Sequence, residues 1–347
     1  MATRARIAIL GASGYTGAET IRLALGHDRL EIAYLTADRQ AGKPVAGVFP
    51  HLSGVPLPDL VKIGDVPFDR VDAVVCCLPH ATTQEVVKAL PPSLKVVDLS
   101  ADFRLADVAV YEQWYGHAHA APALQAEAVY GLTEHHREAV AKARLVANPG
   151  CYPTAAQLPL IPLLAAQAIA PDGIVVDAKS GVTGAGRSLR EDLLFTEIAE
   201  GFHAYGIGKH RHLPEIEQGL SAAAGEGVHV RFTPHLLPMN RGILSTIYVR
   251  MRSGVGLGDL EQILGEAYQG EPFVHLRTGG RAPSTREVRG TNHCLISVHQ
   301  DRLEGHAVLV AAIDNLVKGA AGQALQNLNV MLGVEESAGL GASALFP

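Results

Sequence analysis

The sequence predicts a two-domain α/β protein: a doubly wound domain with a parallel sheet, then an α+β domain whose sheet is largely antiparallel. Three observations carry this. A length of 347 residues, at about 150 residues per domain, suggests two domains. The first half alternates near-continuous apolar runs with helical stretches, as strands covered on both faces by crossover helices do. The second half runs β-rich segments in direct succession, which favours antiparallel pairing.

In chain order, Ala5–Leu10 reads as a strand, Tyr15–Leu25 as a helix and Leu30–Thr36 as a second strand. Asp72–Leu78 (DAVVCCL) is a continuous apolar run followed by the helical ATTQEVVKAL. Lys95–Ser100 and Arg144–Asn148 are further short strands, and TAAQLPLIPLL is helical. Ile174–Lys179, Val228–Pro234, Ile243–Met251, Cys294–His299 and His306–Ile313 read as the strands of the second half, and about 315–332 as the last helix. The Ala/Gly-rich tail, 335–347, carries no pattern that places it.

Composition excludes several function classes. With 48% hydrophobic and 18% charged residues, the chain has the material for a large core and lacks the signature of disorder. The formal net charge of −6 argues against a nucleic-acid surface, which needs a basic excess. The longest apolar stretch, Leu158–Pro171, is broken by Pro159, Pro162 and Gln167 and is shorter than the roughly 18 residues of a membrane span. The N-terminus meets a glycine turn too soon for a signal peptide. The 4 cysteines form no CxxC pair, so reduced thiols in a cytoplasmic protein are expected rather than zinc or disulfides.

Gly11-Ala-Ser-Gly14-Tyr-Thr-Gly17 stands between the first strand and the first helix, where a dinucleotide pyrophosphate binds in a Rossmann-type domain. Glycines let the backbone turn tightly, and the helix N-terminus supplies N–H groups and a positive dipole end. Ser13, Tyr15 and Thr16 share that turn. At the end of the second strand, Asp38 keeps NAD open, whereas Thr36 and Arg39 form a clamp for the 2′-phosphate of NADP.

Asn148-Pro-Gly-Cys151-Tyr-Pro-Thr154 lies between a strand and a helical run. Pro153 suits a first helical turn, so Cys151 stands at or just before a helix N-terminus, which favours thiolate over thiol. Cys76, Cys77 and Cys294 sit inside apolar strands and read as core. Lys209-His210-Arg-His212-Leu-Pro-Glu215 offers two histidines for proton transfer, or for a metal shared with His117/His119 or His135/His136, although no spacing resembles HExxH. The loop from Lys179 to Arg187, with Ser180, Gly181 and Gly184, is a connector or a second phosphate-contacting loop. Arg104, in DLSADFR with Ser100, holds an anionic substrate or pairs locally with Asp102 or Asp107.

Together, GASGYTGAE, LPHATT, DLSADFR, NPGCYPTA, KSGVTGAGR, HRHLPEIEQ and DNLVKGAAGQALQNLN resemble, in order, the N-acetyl-γ-glutamyl-phosphate reductase family of the semialdehyde-dehydrogenase-like group. The similarity runs from about residue 4 to 332, and NPGCYPT followed by HRHxPE is its specific part. The resemblance implies NADPH-dependent reduction of an acyl phosphate to an aldehyde, with Cys151 as nucleophile and His212 as acid/base. It implies cofactor contacts from Ser180, Gly181, Gly184 and Asn315, and substrate phosphate contacts from Ser100, Arg104 and His210. It further implies that the last helix completes the cofactor domain, giving domains 1–149 with 315–347 and 150–314, and a homodimer or homotetramer. Expected partners are thus a small acyl phosphate and copies of the chain, with no metal, nucleic acid or membrane. Competing functions are aspartate-semialdehyde dehydrogenase, a lysine-pathway relative acting on carrier-bound aminoadipyl phosphate, and a non-catalytic NADP sensor.

Overall fold

The computed structural model describes residues 4–345, which divide into two compact units: 4–149 with 320–341, and 150–319 with 342–345. Residues 1–3 and 346–347, the outer ends of the expected domains, lie outside the described residues.

In the first unit the chain runs β1 (Ala5–Leu10), α1 (Tyr15–Leu25), β2 (Leu30–Thr36), β3 (Leu60–Val61), β4 (Ala73–Cys76), α2 (Thr83–Ala89) and β5 (Lys95–Asp98). It continues through α3 (Val108–Tyr115), α4 (Pro122–Glu127), β6 (Val129–Tyr130), α5 (Thr133–Lys142) and β7 (Leu145–Ala147). The strand order is β3-β2-β1-β4-β5-β7-β6, with every neighbouring pair parallel. Ile7–Leu10, Ala73–Cys76 and Leu145–Ala147 are buried without alternation, because crossover helices cover both faces. The order reverses between β1 and β4, and the glycine turn leaves the C-terminal end of β1, where doubly wound sheets form their ligand crevice.

The second unit runs α6 (Cys151–Ala165), β8 (Val175–Gly181), α7 (Phe195–Ile198), β9 (His203–Ala204), α8 (Leu213–Ala224), β10 (Arg231–Leu237), β11 (Ile243–Arg250), α9 (Leu257–Ala267), β12 (Val274–Arg277), β13 (Cys294–Gln300) and β14 (His306–Ile313). Its sheet order is β12-β13-β14-β11-β8-β10-β9. Most pairs are antiparallel, as the direct succession of strands predicts. The exceptions, β8 with β10 and β12 with β13, are parallel. Strand β10 begins three residues later than its apolar pattern suggests. Val228 and Val230 are buried in the loop before it, so their alternation marks packing of a loop and not the start of the ladder. Helix α6 packs against α8, β11, α9 and β14 and is apolar and buried on nearly every side, as a central helix must be. Among the described residues, no helix is long and apolar enough to cross a membrane.

The chain then returns to the first unit as α10 (Gly322–Leu332), packing on α5, α1 and β5. The return comes at 320, not 315, because the preceding segment is bonded within the second unit. Asp314 Oδ2 accepts from Gly290 N at 2.7 Å, Asn315 Oδ1 accepts from Gly242 N at 2.8 Å, and Asn315 Nδ2 donates to Thr183 Oγ1 at 2.9 Å. The tail also divides: Glu336 pairs with Arg137 at 2.7 Å in the first unit, and Leu345 N donates to Arg289 O at 3.0 Å in the second.

Helix α10 buries Gln323, Gln326, Asn327 and Asn329, tolerable only with hydrogen-bond partners. Asn327 Nδ2 donates to Gly131 O at 2.8 Å and to Asn148 Oδ1 at 3.2 Å, while its Oδ1 accepts from Thr133 Oγ1 at 2.8 Å. Asn327→Ala would leave these groups buried and unmatched. Removing it is expected to lower stability by about 1–3 kcal/mol, read as a fall in melting temperature; an unchanged melting temperature would refute this role.

Candidate active site

Thr36 holds the glycine turn of the first unit from beneath. Its carbonyl accepts from Ala12 N at 2.7 Å and its hydroxyl accepts from Gly11 N at 3.2 Å. A Cβ at Gly11 would strike the Cys77 carbonyl oxygen, and one at Gly17 would lie 2.6 Å from Gly11 O, so neither position accepts a side chain. Gly14 is the N-cap of α1, with no side-chain cap and no acidic residue in the first turn. Ser13, Gly14, Tyr15 and Thr16 remain partly accessible around that helix end. A bare helix N-terminus above a tight glycine turn fits a dinucleotide pyrophosphate.

Three of the anticipated ligand-binding side chains have partners within this unit. Thr36, expected in a 2′-phosphate clamp, is fully buried and braces Gly11, whereas Arg39, expected beside it, is exposed after β2. Ser100 and Arg104, expected at the substrate phosphate, are both buried. Ser100 Oγ donates to Asp98 Oδ2 at 2.7 Å and accepts from Asp102 N at 3.1 Å. Arg104 donates from Nε to Asn148 O and from Nη2 to Leu99 O, each at 2.8 Å. A guanidinium turned onto two carbonyls ties the end of β5 to the NPG segment after β7.

In the second unit, Cys151 is the first residue of α6 and Gly150 its N-cap. The Gly150 amide donates to Glu215 Oε1 at 2.7 Å, and Gln157 Nε2 donates to Glu215 O at 2.8 Å. Glu215 thereby ties the start of α6 to the start of α8, whose N-cap is His212. Gly219 permits the close packing behind them, since a Cβ there would strike the Gln157 amide. Pro153 and Pro214 stand in the first turns of their helices, where a missing N–H leaves no bond unmade.

The side chains around this junction form an aromatic cluster centred on Tyr152. Its ring meets those of His210, His212 and Phe232 at centroid distances of 5.5, 5.9 and 5.2 Å. The rings of His210 and His212 lie 4.9 Å apart, and the hydroxyls of Tyr152 and Tyr205 are 3.0 Å apart. The structure thus brings His210 and His212 together beside the residue that follows Cys151. Burial, and next Arg211, lowers the His210 pKa to about 4, so His210 is neutral near pH 7. Its Nδ1 accepts from His212 N at 3.1 Å, which puts the ring proton on Nε2. Burial pushes the Tyr152 phenol up, and pushes Tyr205 up to about 12, with the Cys151 charge adding to both. Both phenols therefore stay protonated as donors.

Tyr152, Tyr205 and Glu215 have no role in the sequence reading. For Glu215 a signal existed: an acidic residue at the third position of a helix that follows HRH. Tyr205 carries none, since only the fold brings its loop to Tyr152.

Ser180, Gly181, Gly184 and Asn315 also come together in this unit. A Cβ on Gly181 would lie 2.7 Å from Asn240 O, and one on Gly184 would lie 3.3 Å from Ser180 Oγ and 3.9 Å from Asn315 Nδ2. Among the described residues, no group of three or more His, Cys, Asp or Glu side chains is arranged to hold a metal.

Comparison with known proteins gives two family matches: residues 6–143 to "Semialdehyde dehydrogenase, NAD binding domain" and residues 151–315 to "Semialdehyde dehydrogenase, dimerisation domain". The chain is 59% identical to the N-acetyl-gamma-glutamyl-phosphate reductase of Afipia carboxidovorans over 350 residues, 99% of each chain. It is 57% identical to that of Rhodospirillum rubrum over 352 residues, 100% of each. It is 58% identical to a probable chloroplastic enzyme of that name from Oryza sativa subsp. japonica over 342 residues, 99% of this chain and 82% of the relative. Among solved structures, aspartate semialdehyde dehydrogenase II from Vibrio cholerae shares the fold, with a TM-score of 0.72 at 17% identity over 95% of this chain and 99% of that one. Aspartate semialdehyde dehydrogenase with NADP from Candida albicans gives a TM-score of 0.70 at 17% identity over 95% and 99%.

The acidic group under the crevice of the first unit makes a pH prediction. Burial raises the Asp98 pKa from its ordinary 3.8 to about 7, against the opposing Ser100 hydrogen bond. The folded state therefore holds a proton that the unfolded chain releases, so this group's contribution to stability falls as pH rises from 3.8 to about 7 and is flat above. Asp98→Asn is expected to flatten that segment of the stability–pH curve; an unchanged slope would contradict the assignment.

Proposed function

The chain belongs to the N-acetyl-gamma-glutamyl-phosphate reductase family, and on that premise we propose that it reduces N-acetyl-γ-glutamyl phosphate with NADPH to the semialdehyde and phosphate, through a thioester on Cys151. The observation that carries the proposal is Cys151 at the first position of α6, beside the cluster of Tyr152, His210 and His212.

The N-terminal end of α6 favours the thiolate form of Cys151. The thiolate attacks the acyl carbon, the phosphate leaves with the bonding electrons, and the acyl group is held as a thioester. NADPH, when bound, supplies the hydride that reduces this thioester to a hemithioacetal. His212 moves the proton at the substrate oxygen as the C–S bond breaks and the aldehyde departs, regenerating the Cys151 thiolate. His210, neutral with its proton on Nε2, orients His212 through the backbone bond to Nδ1 and presents a donor to the substrate. Glu215 fixes the two helix starts that carry nucleophile and acid/base.

The glycine turn, from Gly11 to Gly17, would hold the NADPH pyrophosphate, with Arg39 at the 2′-phosphate. Ser180, Gly181, Gly184 and Asn315 are further cofactor-contacting candidates. No described cysteine is in a disulfide, which suits work in the reducing cytoplasm. The match of 151–315 to a dimerisation domain supports a homo-oligomer.

Three substitutions test this reading. Cys151→Ser replaces a group of pKa about 8.5 by a hydroxyl scarcely ionised at pH 7; it is expected to abolish turnover while leaving NADPH binding intact. His212→Asn is expected to slow the chemical step by about 10²–10⁴-fold. An active Cys151→Ser enzyme refutes the mechanism. For the cofactor, Arg39→Ala is expected to weaken NADP by about tenfold or more through loss of a charge-assisted contact, with little effect on NAD; equal losses for both would remove Arg39 from the 2′-phosphate.

A further inference from the structure

The nucleophile's neighbour across the fold is a glycine in an unusual turn. Residues Val317–Ala321 form a single π-helical turn, in which Gly319 N donates to Asp314 O, five residues back, at 3.0 Å. Such one-turn widenings are rare and concentrate at functional sites. This one is braced at its origin. Asp314 Oδ1 accepts from Leu316 N at 2.8 Å, Asp314 Oδ2 accepts from Gly290 N at 2.7 Å, and Asn315 is held by Gly242 and Thr183.

The turn presses Gly319 against Cys151. A Cβ at Gly319 would lie 2.6 Å from Cys151 Cβ, 3.1 Å from Cys151 Cα and 3.3 Å from Ile313 Cδ1. Carbon atoms at ease sit about 3.5–4.0 Å apart, so one methyl group would displace something by on the order of 1 Å. Ile313 is fully buried in β14, and α6 is buried on nearly every side. The backbone of Gly319 lies outside the left-handed region, so alanine meets no conformational penalty there and the consequence is steric alone.

We infer that Gly319 is a positioning residue for the Cys151 thiol: the π turn supplies a flat backbone wall that seats Cys151 Cβ and fixes where the sulfur stands above the N-terminus of α6. This deepens the proposed thioester mechanism and rests on Cys151 being its nucleophile. The wall is backbone because any side chain would occupy the space of the Cys151 Cβ. The π bond matters because it sets the distance: the braced Asp314 carbonyl takes the Gly319 amide and holds this stretch of backbone against α6.

The test compares Gly319→Ala, Gly319→Ala with Ile313→Val, and Cys151→Ser as full-length proteins. A displacement on the order of 1 Å at a reacting atom lowers the rate by on the order of 10²-fold. Gly319→Ala is therefore expected to lose kcat by about that factor, with KM and NADPH affinity near wild type. The midpoint pH for alkylation of Cys151 by iodoacetamide is expected to rise, as the sulfur leaves the helix N-terminus. Ile313→Val removes the methyl that the new Cβ would crowd in the core, so it would rescue a packing defect but not a misplaced thiol. Recovery of kcat in the double variant overturns the proposal, as does wild-type kcat with an unchanged alkylation midpoint. A Gly319→Ala protein that does not fold also overturns it, since the clash would then fall on the core and not on the thiol. Turnover by Cys151→Ser would instead sink the nucleophile assignment itself, whatever the glycine variants do.

Discussion

The hydrogen bond from the Gly150 amide to the Glu215 carboxylate, 2.7 Å long and buried, is the constraint on which the second unit's chemistry depends. It joins two helix starts that are far apart in sequence. Helix α6 begins at Cys151, and α8 is capped by His212, so fixing one start against the other fixes the thiol relative to the imidazole pair. A hydrogen bond to a charged group contributes about 1.5–3 kcal/mol, and this one is backed by the Gln157 bond to the Glu215 carbonyl. Position, more than energy, is its effect: in the proposed mechanism the nucleophile and its proton donor lose most of their advantage when displaced by a fraction of their contact distance.

In the first unit side chains hold the backbone in shape, and the backbone is what remains for a ligand. Thr36 braces Gly11, Ser100 joins Asp98 to Asp102, and Arg104 joins two strand ends. The helix end at Gly14 is left uncapped, and uncapped helix ends with glycine turns bind phosphate through N–H groups and dipole. A chain of net charge −6 can then accept a polyanionic cofactor without a broad basic surface, because the main-chain N–H groups and dipole of the helix end supply local positive potential.

The sequence made the scaffold of this site legible where local chemistry and tertiary packing ask for the same thing. Strand β1, the glycine turn and α1 fall where the apolar run, the glycines and the helical periodicity put them, and Pro153 correctly announces a helix beginning at Cys151. Two-residue strands such as β3, β6 and β9 escape notice because they are too short to show alternation and exist through pairing to neighbours. The π turn at Val317–Ala321 escapes for a related reason: its defining bond depends on an Asp314 held by Gly290, a contact distant in sequence. Ser100, Thr36 and Arg104 show the limit for side chains. A hydroxyl or guanidinium has the donors to bind a phosphate or to brace a loop, and only burial among carbonyl and carboxylate partners tells which it does.

The most direct measurement of the central claim is mass spectrometry of the protein after supplying the semialdehyde and NADP without phosphate. Under those conditions the oxidised acyl group has no phosphate to accept it and stays on the thiol that bears it. The account predicts an N-acetylglutamyl adduct on the peptide containing Cys151, lost when phosphate is added. The same adduct on Cys76, Cys77 or Cys294, or on no cysteine while NADPH is being formed, would contradict it.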